Sequence, residues 1–149
     1  MNASGQLQID PGAFGTDGEG REVELVVPYT EWSVAEAVLK RAAELTAGFN
    51  ASLLLLAVHA VPYPATFGGF ASIHAHLVEQ LVDLAGQCPL PASAQVIMAR
   101  SREEGFRHAL APGATVLIGT RRHWWRTEEE KLARCLAHDG HNVLLVHVD

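Results

Sequence analysis

The sequence predicts an α/β fold, a doubly wound parallel sheet of five strands with helices on both faces. Three observations carry that expectation. From Val23 onward, short apolar runs alternate with amphipathic stretches, the pattern of a sheet wrapped by helices. The runs are apolar at successive positions, as strands covered on both faces must be. Each pair of runs is joined by a stretch long enough to cross over as a helix, and right-handed crossovers repeated in this way give a doubly wound sheet.

Residues 1–21 hold five of the thirteen glycines and almost no aliphatic periodicity, which predicts a flexible N-terminal tail before a single domain over 22–149. The strands are then read at VELVVPY (23–29), ASLLLLAVHA (51–60), AQVIMAR (94–100), ATVLIG (114–119) and NVLLVHV (142–148). Between the first two, Val34, Val38, Ala42, Leu45 and Phe49 recur at helical spacing, with Gly48 placed for a left-handed helix end. Ile73, Leu77, Leu81 and Leu84 mark a second helix, Phe106 and Leu110 a third, and Leu132, Cys135 and Leu136 a fourth. Pro112-Gly113 and Asp139-Gly140 end the last two. PYPATFGGF (62–70) is the long irregular connection, read as a surface loop pinned by Phe67 or Phe70 or as a flap over a crevice.

Composition narrows the function. At 149 residues the chain buries roughly 68–70% of the surface its unfolded form exposes, enough for one core. A formal charge of −6, with eleven basic residues in no long run, argues against a nucleic-acid partner. Cys88 and Cys135 stand in no metal-binding spacing, and so few thiols fit a reducing cytoplasm. No basic segment precedes an apolar one near the N-terminus, and the longest apolar run, Leu53 to Val58, is far short of the ~20 residues of a membrane helix. A soluble, cytoplasmic protein without membrane contact is expected.

The stretches ELVVPYTEWSVAEAVLKRAAELTAGFNASLLLLAVHAVP and ATVLIGT…LAHDGHNVLLVHV, with the strand and helix order around them, resemble the universal stress protein family over about residues 22 to 149. The resemblance implies the sheet order 3-2-1-4-5 and a nucleotide site made by an aspartate after the first strand and a loop Gly-x2-Gly-x9-Gly-Ser/Thr after the fourth. Here Thr30 stands at the aspartate, Gly119 at the first loop glycine and Arg122 at the second, and the final Gly-Ser/Thr pair is missing. Val58, at the end of the second strand, matches the position whose backbone meets adenine.

The loss has a physical meaning. Loop glycines let backbone amides approach phosphates, and a helix N-terminus adds about half a positive charge. Glu128, Glu129 and Glu130 in the first turn offset that charge and repel a polyanion. Thr127-x-x-Glu130 also reads as a capping box, which satisfies those amides internally, and the same box recurs as Ser33-x-x-Glu36 and Ser101-x-x-Glu104.

With the order 3-2-1-4-5, the loops at 30–33 and 120–127 flank the crevice where such sheets bind ligands. Thr30, Glu31, Trp32, Thr120, Arg121, Arg122, Trp124 and Trp125 converge there. Two readings stay open. Either the arginines pair with the glutamates in a module whose phosphate loop is degenerate and which takes no cofactor, with ATP disfavoured, or Arg121, Arg122 and Arg126 hold an adenine nucleotide or another small anion. No enzyme is expected: there is no Gly-x-Ser-x-Gly elbow, no cysteine beside an evident base, and no place for the metal and water-orienting acid that ATP hydrolysis needs. Nor is a metal site, because His74 and His76 lie about 200° apart around a helix. The final strand, with Val143, Leu144, Leu145, Val146, His147 and Val148, forms an apolar sheet edge, which predicts a homodimer through that strand, and a protein partner is also admitted.

Overall fold

In the computed structural model, which describes residues 23–61, 71–121 and 128–148, the apolar runs form one parallel sheet of five strands. The expected tail, the 62–70 connection and Arg122, Trp124, Trp125, Arg126 and Thr127 lie outside the described residues. Strand β1 (Val23–Pro28) leads to helix α1 (Trp32–Leu45), β2 (Ala51–Ala60), α2 (Ala71–Gln87), β3 (Ala92–Ala99), α3 (Arg102–Ala109), β4 (Thr115–Arg121), α4 (Glu128–His138) and β5 (Asn142–Val148). The order across the sheet is β3-β2-β1-β4-β5, every neighbouring pair parallel, as the sequence predicts.

Two cores result, one on each face. Leu25, Val27, Leu53, Leu55, Ala57 and Leu117 meet α1 and α2 through Val34, Val38, Leu81 and Leu84. Residues on the alternate parity, Val26, Leu56, Val116, Ile118 and Val143, meet α3 and α4 through Phe106, Leu132 and Leu136. The period of two along each strand sorts side chains to opposite faces, so an apolar run of consecutive residues supplies both cores at once.

Two helical positions depart from expectation. Phe49 is 36% exposed, because α1 stops at Leu45 and the chain turns through Gly48 at φ +86°. The buried Thr46 closes that end, its hydroxyl donating to the Ala42 carbonyl at 2.8 Å. Ile73 is 50% exposed, since the stripe of α2 that faces the sheet starts a turn later, at Leu77. By contrast α4 ends as its Asp-Gly predicts: Gly140, at φ +94°, donates to Ala137 O at 3.1 Å while His141 N reaches Leu136 O at 3.1 Å, the paired bonds of a Schellman cap. His141 then folds inward, 6% exposed, and its Nδ1 accepts from Ala114 N at 3.1 Å, tying the start of β5 to that of β4.

Candidate functional site

Strands β1 and β4 pair at only two positions, Leu25 with Thr115 and Val26 with Val116, and then part. The chain leaves β1 towards β2 and returns on the other side as β4, so a crevice opens at their carboxyl ends, where sheets of this topology bind ligands. Thr30, Glu31, Val34, Gly119, Thr120, Arg121 and Glu129 line it, around a cavity of about 160 Å³.

Gly119 and Thr120 are strand residues. β4 runs two positions past its apolar run, to Arg121, because β5 pairs with it along the whole length and carries Gly119, Thr120 and Arg121 opposite Val146, His147 and Val148. The absence of a side chain at Gly119 serves packing. A Cβ there would stand 2.6 Å from Val38 Cγ2 and overlap Val34 Cγ1, so the glycine lets α1 lie close against the sheet. Thr120 is buried, its hydroxyl donating to the Arg121 carbonyl at 3.3 Å.

Arg121 spans the crevice mouth. Its Nε donates to Glu31 Oε1 at 3.1 Å, its Nη2 to the same oxygen, and Nη2 also meets Ser33 Oγ at 2.7 Å. The Ser33 hydroxyl donates to Glu31 Oε1 at 3.0 Å. These donors hold the Glu31 carboxyl below its ordinary range, Arg121 foremost and Ser33 next. Burial, and then the Glu31 charge, raise the neighbouring Tyr29 phenol. Of the two readings the sequence left open, one paired the arginines with the α4 glutamates; the structure pairs Arg121 with Glu31. Glu31, at the N-cap of α1, and Arg121, the last residue of β4, meet across the crevice mouth.

Ser33 consequently does not head a capping box. Glu31 is the cap residue of α1, in extended conformation, and no side chain there accepts an amide hydrogen bond. The box at α3 does form, with Ser101 Oγ accepting from Glu104 N at 3.1 Å. Its next residue, Arg102, lies with its guanidinium 5.7 Å from the Phe106 ring centre. Burial lowers the Arg102 pKa, while Glu129, Glu103 and Glu128 act against that shift. The three glutamates do occupy the first turn of α4, as expected.

Of the remaining expected site residues, Thr30 sits exposed at the crevice wall. Val58 lies apart from that lining, in β2 beneath α3, where its methyl groups face Gly105 so closely that a Cβ on the glycine would stand 2.5 Å away. The sequence reading did not foresee Ser33 as a partner of Arg121 or Glu129 as lining; a serine at a helix start is read first as a cap. Among the described residues no three His, Cys, Asp or Glu side chains gather where they would hold a metal ion, and no helix is long and apolar enough to cross a membrane.

No protein-family model matches the sequence, and no curated protein matches it. Solved structures do match by shape. A universal stress protein from Archaeoglobus fulgidus superposes with a TM-score of 0.58 at 13% identity, over 85% of this chain and 93% of the other. A universal stress protein family member from Burkholderia pseudomallei gives 0.53 at 18% identity, over 83% and 94%. A third, an Arabidopsis thaliana family protein solved with AMP bound, gives 0.52 at 15% identity, over 85% and 92%. The chain thus has the universal stress protein fold, as the sequence resemblance implies.

Proposed function

We propose that this chain is a non-catalytic, universal stress protein-like regulatory module, cytoplasmic and paired with a second copy, whose crevice no longer holds a nucleotide and which takes no cofactor. One observation carries the reading: the crevice offers about 160 Å³ and has the carboxylates of Glu31 and Glu129 in its lining. Small-molecule sites usually run to roughly 300–1,000 Å³, and carboxylates repel phosphates. The Arabidopsis neighbour was solved with AMP, so the same nucleotide is the sharpest probe. Calorimetric titration with AMP, ADP, ATP and cyclic dinucleotides, with and without magnesium, is expected to register no binding up to millimolar ligand. Heat of binding that Arg122→Ala abolishes would replace this reading with the adenine-nucleotide one.

The pairing is drawn from β5. Asn142 N bonds to Ala114 O on the β4 side, so the alternate residues Val143, Leu145 and His147 turn their backbone groups to the free edge. Such an edge is a template for a second strand. Val143 is buried and the other apolar side chains are half-buried against the two cores, which leaves backbone pairing as the larger contribution. Light scattering is expected to give a dimer mass that Leu145→Lys, or His147→Pro where the lysine unfolds the chain, reduces to a monomer. A monomer mass for the unaltered protein would remove the pairing.

A further inference from the structure

A second cavity, of about 570 Å³, lies between the edge strand β3 and helix α3 and shares no lining residue with the crevice. Its volume falls within the roughly 300–1,000 Å³ of small-molecule sites. The packing of α3 accounts for it. Gly105 lets the helix settle on Val58 of β2 and Ala99 of β3, where a Cβ would stand 2.5 and 3.3 Å away. The helix is only eight residues long and ends at Ala109, so the earlier part of β3 keeps Ser93 and Gln95 exposed. Gln95, Ile97 and Ala99 alternate toward this face of the sheet, and Ile97 and Ala109 form an apolar wall that is half-buried against the core.

The charges of the lining gather at one end. Because Gly105 abuts Ala99, their chain neighbours Glu104 and Arg100 reach the cavity at the same level, where β3 stops and α3 starts. Arg100 is held in the lining through Nη1, which donates to the Val61 carbonyl at 3.2 Å. Glu104 is held by its amide on Ser101 Oγ, and its half-exposed carboxylate lies 3.9 Å from His108 Nε2, one turn further along the same wall. We propose that this cavity binds a free α-amino acid with an apolar side chain. Such a molecule carries an ammonium and a carboxylate on one carbon, and a carboxylate and a guanidinium side by side are their complement, the guanidinium taking the ligand carboxylate through paired N–H donors. The apolar side chain then runs along Ile97 toward Ala109 and Gln95. A simple amine or a simple acid matches one protein charge and is opposed by the other. The amino acid is an effector for the regulatory module proposed above, and because the two cavities are separate, its absence would leave the reading of the crevice untouched.

The experiment is calorimetric titration of the full chain with L-leucine, L-methionine and L-phenylalanine, beside L-leucinamide, N-acetyl-L-leucine and glycine. Saturable binding of the apolar amino acids is expected. Leucinamide, which lacks the carboxylate, and N-acetyl-leucine, which lacks the ammonium, should each bind about tenfold more weakly than leucine. Glycine, without a side chain for the apolar wall, should also fall by about tenfold or more. Glu104→Gln is expected to weaken leucine to the level of N-acetyl-leucine while leaving N-acetyl-leucine unchanged, and Arg100→Gln to do the same with respect to leucinamide. Where Arg100→Gln fails to fold, Glu104→Gln carries the test, since that side chain is about half exposed, at 49%. Absence of saturable heat with every apolar amino acid at tens of millimolar would overturn the site. So would leucinamide, N-acetyl-leucine or glycine binding as tightly as leucine, or a folded Glu104→Gln that leaves the ratio of leucine to N-acetyl-leucine as it was. Displacement of bound leucine by AMP would put the ligand in the crevice and overturn the assignment to β3 and α3.

Discussion

Helices α1 and α3 begin with the same local pattern, Ser-x-x-Glu, at Ser33 and at Ser101, yet their first turns are built differently. At α3 the serine is the cap and holds the amide of Glu104. At α1 the helix begins one residue ahead of the serine, Glu31 takes the cap position, and the Ser33 hydroxyl turns to the Glu31 carboxylate and Arg121. The two helices also reach the sheet by opposite means: α3 brings its own glycine, Gly105, onto Val58 and Ala99, whereas β4 supplies Gly119 beneath Val34 and Val38 of α1. The lesson is that a four-residue motif offers a hydroxyl, and its use is decided by what the sheet sets opposite. Ser101 keeps the amide of Glu104, whereas an arginine stands across from Ser33.

The sharpest way to break this contrast is to fill the space under α1. Gly119→Val is expected to destabilise the protein by about 1–3 kcal/mol through overpacking, read from urea denaturation, and Val34→Ala in the same chain should recover part of the loss. Absence of recovery would mean that Gly119 is needed for something other than room. Next in size are the two serines. Ser101→Ala is expected to cost about 1 kcal/mol as a lost cap, whereas Ser33→Ala, which removes a contact in an exposed ion pair, should cost under about 0.5 kcal/mol; equal losses would erase the distinction. The smallest effect belongs to Glu31 itself, and it depends on pH. Its carboxyl titrates below its ordinary range in the folded chain, so the contribution is complete above that range and disappears as pH falls through the folded value. The difference in urea midpoint between the unaltered chain and Glu31→Gln should therefore shrink from neutral pH to pH about 3, and shrink too in high salt.

Most of the fold is legible in the sequence for a simple reason. Strands buried on both faces must be apolar at every position, and that demand survives in runs such as LLLLAV and VLI. Misreadings fall where a residue's surroundings come from distant chain. Gly119-Thr120 looks like the opening of a loop because the apolar run stops there, but pairing to β5 carries the strand on to Arg121. The amide of Ala114, besides its turn bond to Ala111 O, reaches the ring of His141, a contact no local pattern announces. The crevice was legible in its location and in its cast of Thr30, Glu31, Thr120 and Arg121. Which carboxylate the arginine takes was not, since that follows from where the start of α1 and the end of β4 meet, 90 residues apart in the chain.

The pairing of Glu31 with Arg121 bridges residues 90 apart, which bears on how the protein is made. β1, α1, β2, α2 and β3 are contiguous in chain, and their strands pair with nearest neighbours in sequence, so they can assemble while the C-terminal third is still being synthesised. Closure of the crevice must wait for β4 to dock along β1, a contact of high sequence separation and correspondingly slow formation. Until β4 docks, Glu31 lacks its arginine and the β4-facing flank of β1 lacks its neighbouring strand.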